Sequence, residues 1–353
     1  MDALESVRER IEVIDGKILR LLNERMEYAL RTRNLKSGIV DEKREEEVLE
    51  RVRENSRGLL YADFSSKLFR EIMDESRKLQ GESLTLVGFQ GEHGAFGEYA
   101  VNEFNSDYVP LSCREFADVF EGVESGQLDL GIVPVENSLE GAVTQVNDLL
   151  IERNVRVVGE VRVPIKHCLL AVPGTDHREI RVVYSHPQAL AQCREFIARN
   201  KLGARPFYDT AGAAKMVSKE RNRANAAIAS EICAEIYNLD VIKENLADNA
   251  SNSTRFLVIS KGEGPGNGNK CSIIFSTKHE AGALFSILEL FADAKINLTR
   301  IESRPSRKNV GEYAFLLDFL GSDADSKVKD VLSAVEGKAA MYKFLGCYAE
   351  AAK

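Results

Sequence analysis

The 353-residue chain has no run of the roughly 18 to 20 apolar residues that a membrane-spanning helix needs, and its opening MDALESVRER is charged from the second residue. We therefore expect a protein that is neither secreted nor membrane-spanning, and a cytoplasmic location. Positive charge is not in excess either. With 47 Lys+Arg against 55 Asp+Glu the net charge is -8, so a nucleic acid or an anionic membrane would meet overall repulsion. Six cysteines (113, 168, 193, 233, 271, 347) form no CxxC pair, and the five histidines fall at no metal-ligand spacing beside them. Reduced, buried thiols and no metal or other cofactor are expected.

Proline is missing before Pro110, and only Gly16, Gly38 and Gly58 interrupt the first 80 residues, which hold 17 Lys+Arg and 18 Asp+Glu. Such a stretch suits long helices. The run GEGPGNGN at 262–269 is the opposite, with four glycines and a proline between strand-like segments, and reads as a linker. Three domains follow: residues 1–81, 82–261 and 270–353.

In the first domain Leu4, Val7, Ile11, Ile14, Ile18 and Leu21 are spaced 3, 4, 3, 4, 3, an apolar heptad stripe on one helix. Asp2 with Glu5 would make a capping box at its start. A helix running to about Lys36 would be roughly 50 Å long, too long for a lone 80-residue globule to cover, so a dimer sharing it is expected. The next heptad position is Arg25, a cation facing the core. A later helix repeats the anomaly, because the face outlined by Phe64, Leu68, Ile72 and Leu79 includes Ser76 and Gln80. Arg25 is either half of a buried ion pair or a ligand-binding group. Lys36 lies eleven residues on, three turns along the same face, and Asp41, Arg44 and Glu45 open a second helix. Cations converging on a bundle cavity suggest a small dianionic ligand.

These residues resemble the all-helical chorismate mutase family, domain-swapped dimers of three-helix chains. VRERI supplies Arg8, NERMEY Arg25, NLKSG Lys36, VDEKREEEVLE Asp41, Arg44 and Glu45, and DESRKLQ Ser76 and Gln80. A pericyclic rearrangement needs no nucleophile and no base; it needs a mould for the compact conformer and donors where the ether oxygen gains charge. The resemblance implies that Arg8, from the partner subunit, and Arg25 hold two carboxylates, that Arg44 adds positive charge, that Lys36 and Gln80 donate to the ether oxygen, and that Glu45 accepts from the substrate hydroxyl.

From Leu84 short strands alternate with helices: LTLVGF, LDLGIV, VRVVGEV, KHCLLAV, IRVVYS, ARPFY, AAIA and TRFLVI, separated by segments such as HPQALAQCREFIARN. The pattern predicts an open, doubly wound, two-lobed α/β domain with a cleft at the carboxyl ends of strands. GFQGEHGAFGEYA after the first strand has glycines at 88, 91, 94 and 97, spaced by three, which fails the dinucleotide fingerprint and disfavours a nicotinamide cofactor. Its amides form a tight turn or bind a carboxylate. Glu136, Asn137 and Ser138 crowd another strand end, where a capped helix start would also do. Ser185 and His186 follow a third strand, with Gln188 and Gln192 one turn apart beyond them, His186 being open to a capping or core role. Ser253, Thr254 and Arg255 enter the last strand, which could be a plain edge strand.

Together, TRF at 254–256, VENS at 135–138 and YSHPQ at 184–188 resemble the prephenate dehydratase family over the whole of this domain, which the family describes as periplasmic-binding-protein-like. The resemblance implies an essential Thr254, with Asn137, Ser185 and Gln192 in the cleft and Glu136, Ser138 and Arg255 as adjacent candidates. A threonine hydroxyl does not ionise near pH 7, so Thr254 is expected to donate to the departing oxygen as carbon dioxide and hydroxide leave.

From Cys271 the order strand, helix, strand, strand, helix, strand predicts a βαββαβ ferredoxin-like sandwich. Gly282, Ala283, Leu284 and Phe285 (GALF) and Glu302, Ser303, Arg304 and Pro305 (ESRP) resemble an ACT regulatory domain of the phenylalanine-sensing kind. Phe285 departs from the valine more usual there. The whole chain is thus similar to bifunctional enzymes that take chorismate through prephenate to phenylpyruvate under inhibition by L-phenylalanine, as homodimers or higher homo-oligomers. A non-catalytic aromatic-acid sensor with the same two-lobed layout is the alternative, and a prephenate dehydrogenase is opposed by the missing fingerprint.

Overall fold

The computed structural model describes residues 3–35, 38–249, 251–264, 268–278, 280–305 and 313–351. They fall into two compact units, Met1–Leu86 and Val87–Lys353.

The first unit is helical: α1 (Ala3–Arg31), a 3-10 turn (Arg33–Leu35), α2 (Glu42–Asn55) and α3 (Ala62–Gly81). Expected to reach Lys36, α1 stops five residues earlier. The Thr32 hydroxyl bonds the Ala29 carbonyl at 2.7 Å and the chain tightens into the 3-10 turn, so the helix that carries Arg25 does not continue to position 36. Lys36 itself, and Asp2 of the expected capping box, lie outside the described residues. Asp41 caps α2 by accepting from the Arg44 amide at 3.0 Å. The unit has almost no interior of its own. Among the described residues of its helices only Leu30, Ile72 and Met73 are buried apolar groups, while the six stripe residues from Leu4 to Leu21 are 49–65% exposed.

The second unit begins with a lobe made of β1 (Leu86–Gln90), α4 (Phe96–Phe104), β2 (Val109–Cys113), α5 (Phe116–Ser125), β3 (Leu130–Asn137), β4 (Gly141–Ala142), α6 (Thr144–Glu152) and β5 (Arg156–Pro164). A second lobe follows with β6 (Cys168–Ala171), β7 (Val182–Ser185), α7 (Pro187–Gln192), α8 (Arg194–Arg199), β8 (Gly203–Pro206), α9 (Thr210–Glu220), β9 (Asn225–Ala229), α10 (Ile232–Tyr237) and β10 (Asp240–Lys243). The chain then returns to the first lobe as β11 (Ser253–Ser260). The first sheet runs β2-β1-β3-β11-β5 and the second β10-β6-β9-β7-β8. Far from being an edge, β11 is buried between β3 and β5 and antiparallel to both, so the sheet is mixed rather than wholly parallel. Three strands escaped the sequence reading: β2 and β10, each a short, partly exposed edge, and the two-residue β4 paired with β3. The long segment HPQALAQCREFIARN is two helices, broken at Cys193.

The last part is the expected βαββαβ unit: β12 (Lys270–Thr277), α11 (Ala283–Asp293), β13 (Leu298–Pro305), β14 (Tyr313–Leu320), α12 (Ser326–Lys338) and β15 (Met341–Tyr348), in sheet order β13-β14-β12-β15. Its helices cover one sheet face around Phe291, Phe319 and Val335. The other face and its strand ends meet the first lobe. Gly346 there has a φ of +151°, and a Cβ on it would stand 2.2 Å from the Val157 carbonyl of β5. All six cysteines are buried free thiols, and burial pushes Cys193 and Cys233 up to about 12, which makes them poor nucleophiles. Among the described residues no helix is long and apolar enough to cross a membrane.

Candidate active sites

In the helical unit Arg25 and Ser76 come together: an Arg25 Nη1 donates to the Ser76 hydroxyl at 2.7 Å, and that hydroxyl donates to the Ile72 carbonyl at 2.8 Å. No carboxylate pairs with Arg25 among the described residues, and burial lowers its pKa. Gln80, one turn beyond Ser76, donates to Thr32 Oγ1 at 3.0 Å and to the Ala29 carbonyl. Glu45 is gripped by both its oxygens, at 2.6 and 2.7 Å, by Arg77, a residue that sequence reasoning passed over although it stands inside DESRKLQ. Arg44 does not join this group within one chain. Adjacent helical residues point about 100° apart, and Arg44 turns to the surface, where it pairs with Glu47 at 2.9 Å. Arg8 is exposed, and seventeen residues of helix, about 26 Å, separate it from Arg25.

A cavity of ≈ 700 Å³ opens between the lobes of the second unit and is lined by Thr254, Asn137 and Gln192 among others. Thr254 stands opposite Asn137 on the paired strands β11 and β3. The Asn137 side-chain oxygen accepts from the backbone amides of Leu139 (3.0 Å) and Glu140 (3.1 Å), which fixes its amide group. Its nitrogen therefore donates, to Thr254 Oγ1 at 2.9 Å and to Asn252 Oδ1 at 2.8 Å. Thr254 Oγ1 accepts this bond, so its own proton is not used by Asn137. Gln192 is fixed in the same way. Its nitrogen donates to Glu140 at 2.9 Å, and its oxygen accepts from Asn252 (3.0 Å) and from Nε2 of His167 (2.8 Å). His167 is 2% exposed, its ring meets Phe96 edge-on, and its Nδ1 has no partner among the described residues; burial lowers its pKa despite the Gln192 bond, so it is neutral near pH 7. Sequence reasoning missed His167, Glu140 and Asn252. A histidine leading into an apolar strand was the one available signal.

Ser185, expected in the cleft, and the adjacent candidates Glu136, Ser138 and Arg255 do not line this cavity. Ser185 is fully buried at the end of β7, its hydroxyl bonded to the Ile228 carbonyl of the neighbouring β9 at 2.5 Å. Glu136, Ser138 and Arg255 line a separate cavity of ≈ 380 Å³ on the opposite face. The reason is strand alternation: on β3 and β11 the immediate neighbours of Asn137 and Thr254 must face away from them. Arg255 instead enters a buried ion network with Asp318 of β14 and, at 3.6 Å, with Glu160. Burial alone would lower its pKa, but Asp318 and Glu160 outweigh burial and raise it.

Five helices begin at the cleft, and their caps differ. His186 caps α7 by accepting from Gln188 N at 3.3 Å while lining the cavity, Asp209 caps α9, and Glu115 caps α5. The starts of α4 and α6, at Ala95 and Val143, have no side-chain cap. Gly94 (φ +91°) makes the turn into α4, where a Cβ would strike Cys233 Sγ at 2.5 Å. Sequence reasoning allowed a tight turn or a carboxylate site here, and the geometry is compatible with both. After Glu136 the chain ends β3 at Asn137 and turns into β4, so the alternative of a capped helix start there does not hold. Among the described residues no lysine or arginine lines the cavity.

In the third part Gly282 (φ +84°) sets the start of α11, with Ala283 and Leu284 half-buried and Phe285 65% exposed. Glu302, Ser303, Arg304 and Pro305 alternate along the edge strand β13. Arg304 is committed to Asp148 of α6 at 2.8 Å, and Arg300 donates to Asn147 at 2.7 Å.

The fold defines a helical unit with a half-buried arginine, joined to a two-lobed α/β domain with a threonine-bearing cleft and a ferredoxin-like module. Three families match in that order: Chorismate mutase type II over residues 7–81, Prephenate dehydratase over 87–264 and ACT domain over 272–337. The chain is 36% identical, over 99% of both chains, to the bifunctional chorismate mutase/prephenate dehydratase of Aquifex aeolicus. It is 39% identical to the prephenate dehydratase of Methanocaldococcus jannaschii, over 72% of this chain and 94% of that one. A solved structure of prephenate dehydratase with L-Phe from Arthrobacter aurescens superposes with a TM-score of 0.69 at 32% identity, covering 75% of this chain and 89% of that chain. The chain belongs to the bifunctional chorismate mutase/prephenate dehydratase family and carries its ACT domain.

Proposed function

We propose that the helical unit rearranges chorismate to prephenate, that the α/β domain converts prephenate to phenylpyruvate, carbon dioxide and water, and that L-phenylalanine bound at the ACT domain inhibits the enzyme. The observation that carries the dehydratase reading is the donor order around Thr254. Asn137 donates to Thr254, so the threonine proton is available to the hydroxyl leaving C4 of prephenate while the C1 carboxylate departs and the ring becomes aromatic. A dianion in a cavity with no cationic side chain among the described residues needs other donors. The uncapped amides at the starts of α4 and α6 supply them, with the helix dipoles in the favourable sense.

For the mutase, Arg25 is half-buried, unpaired with any described carboxylate and oriented by Ser76, which suits one carboxylate of chorismate. Arg8 lies too far along α1 to reach the Arg25 of its own chain, so it serves a second copy. Homodimerisation follows from the same helix, whose apolar stripe is half exposed on a unit with almost no core. Phenylalanine sensing rests on the GALF and ESRP motifs and on the L-Phe named in the Arthrobacter aurescens structure. The site of action is taken to be the cytoplasm.

The test is incubation of the purified protein with chorismate alone, without added cofactor or metal, with and without phenylalanine. Phenylpyruvate that phenylalanine suppresses is the expected product. Prephenate accumulating without phenylpyruvate would confine activity to the helical unit, and unchanged chorismate and prephenate would favour a sensor.

A further inference from the structure

Thr254 and Asn137 occupy the last steps of the β3–β11 ladder, and a bulge separates them from the rest of it. Arg255 pairs with Glu136, but Phe256 pairs with Pro134, leaving Val135 unmatched. The Val135 carbonyl turns instead to the amide of Val143, at the start of α6, at 2.9 Å. Beyond the bulge only two steps of the β3 ladder remain, while on the other side β5 keeps its register with β11 from Ser253 to Val258. The side chain that ties this segment to the ACT sheet is that of Arg255, which crosses to the opposite face and is 3% exposed. It meets Asp318, a residue of the ACT sheet 63 positions away in sequence. Asp318 is held in turn by Ser272 Oγ at 2.7 Å, itself bonded to the Tyr348 hydroxyl at 2.7 Å, and faces Arg300 at 3.9 Å. Glu160 on β5, bonded by Lys270 of β12 at 3.0 and 3.1 Å, flanks the other side of the guanidinium.

We propose that Asp318, acting through Arg255, is a positioning residue for the dehydratase reaction: the ACT sheet sets the placement of Thr254 by holding the residue next to it. The arginine of TRF thereby has a role without touching substrate. A buried carboxylate–guanidinium contact has a narrow range of geometries, so it constrains the backbone of β11 more tightly than an apolar contact of equal volume would. The inference rests on Thr254 being the dehydratase donor.

The experiment compares, in the full-length protein, the double variant Arg255→Met with Asp318→Leu, the single variant Ser272→Ala, and Thr254→Ala. Replacing both ions by apolar groups strands less buried charge than removing either one, since Arg300 keeps Asn147 and Glu160 keeps Lys270, so the double variant should fold, and its melting temperature is read beside its kinetics. Positioning predicts a dehydratase kcat down by about tenfold or more, with KM for prephenate changed by less than about threefold and mutase turnover unchanged. Ser272→Ala, which loosens Asp318 without removing it, should lower kcat by a few-fold in the same pattern. A folded double variant with kcat within twofold of the parent would overturn the proposal. Should the double variant melt early, an unchanged kcat in Ser272→Ala would overturn it equally. Normal prephenate turnover by Thr254→Ala would instead defeat the underlying reading. Loss in Thr254→Ala with none in the pair variants defeats the positioning role alone.

Discussion

At the scale of single residues, the chemistry comes down to which way each donor points. Thr254→Ala should cut prephenate turnover by about 10²–10³-fold, the usual effect of deleting one preorganised donor, and leave the mutase intact; Thr254→Ser should restore much of it. Paired assays on chorismate and prephenate check both. His167 has a pKa depressed below its usual 6.5 by burial, so the folded state binds fewer protons than the unfolded chain between the two values. Its contribution to stability is complete above about 6.5 and is lost as pH falls from there through the folded pKa. Melting temperatures followed below pH 6.5 should drop less steeply in His167→Asn than in the parent. The sequence put Thr254, Asn137 and Gln192 in the cleft and was wrong about their neighbours for one physical reason. A motif is read as a string, but a strand sends successive side chains to opposite faces, so TRF delivers Thr254 and Phe256 to the cavity and Arg255 to its back. His167 and Glu140 were illegible because what identifies them is a bond across the cleft, not a spacing.

Among the elements, α1 and β15 carry the clearest consequences. The stripe on α1 was legible because a heptad repeat is local, whereas the end of the helix was not, being set by a threonine hydroxyl and a 3-10 turn that periodicity does not register. Ile14→Asp would put a charge at the centre of the proposed subunit contact. Mutase activity should fall by an order of magnitude or more while prephenate dehydration persists, since Arg8 would no longer reach a partner's site. Gly346 on β15 is constrained both by its φ and by the Val157 carbonyl. Gly346→Ala should destabilise the junction of the ACT module and the first lobe by about 1–3 kcal/mol, seen as a lowered melting temperature of the second unit.

For the whole molecule, domain boundaries were readable from composition, but the junctions were not. Lys270 and Glu160, or Arg304 and Asp148, are far apart in the chain, and nothing local marks either as a partner. These contacts make α6 a shared element. Its first turn lines the cleft, and its Asn147 and Asp148 are held by arginines of β13, the strand that bears ESRP. Arg304→Met should therefore weaken the suppression of phenylpyruvate formation by phenylalanine without altering the mutase, which titration of the effector against both activities would measure.

The return of β11 into the first sheet also governs how the protein is made. The strand between β3 and β5 begins at Ser253, 89 residues after β5 ends at Pro164. At roughly 5–20 residues per second a ribosome needs about 4–18 s to cross that interval, during which both neighbours of β11 present open edges. The first lobe stays incomplete while the second is being synthesised, so its nascent form is a natural client for chaperones. Thr254 is supplied by the same strand, and the dehydratase site comes into being only when the sheet closes.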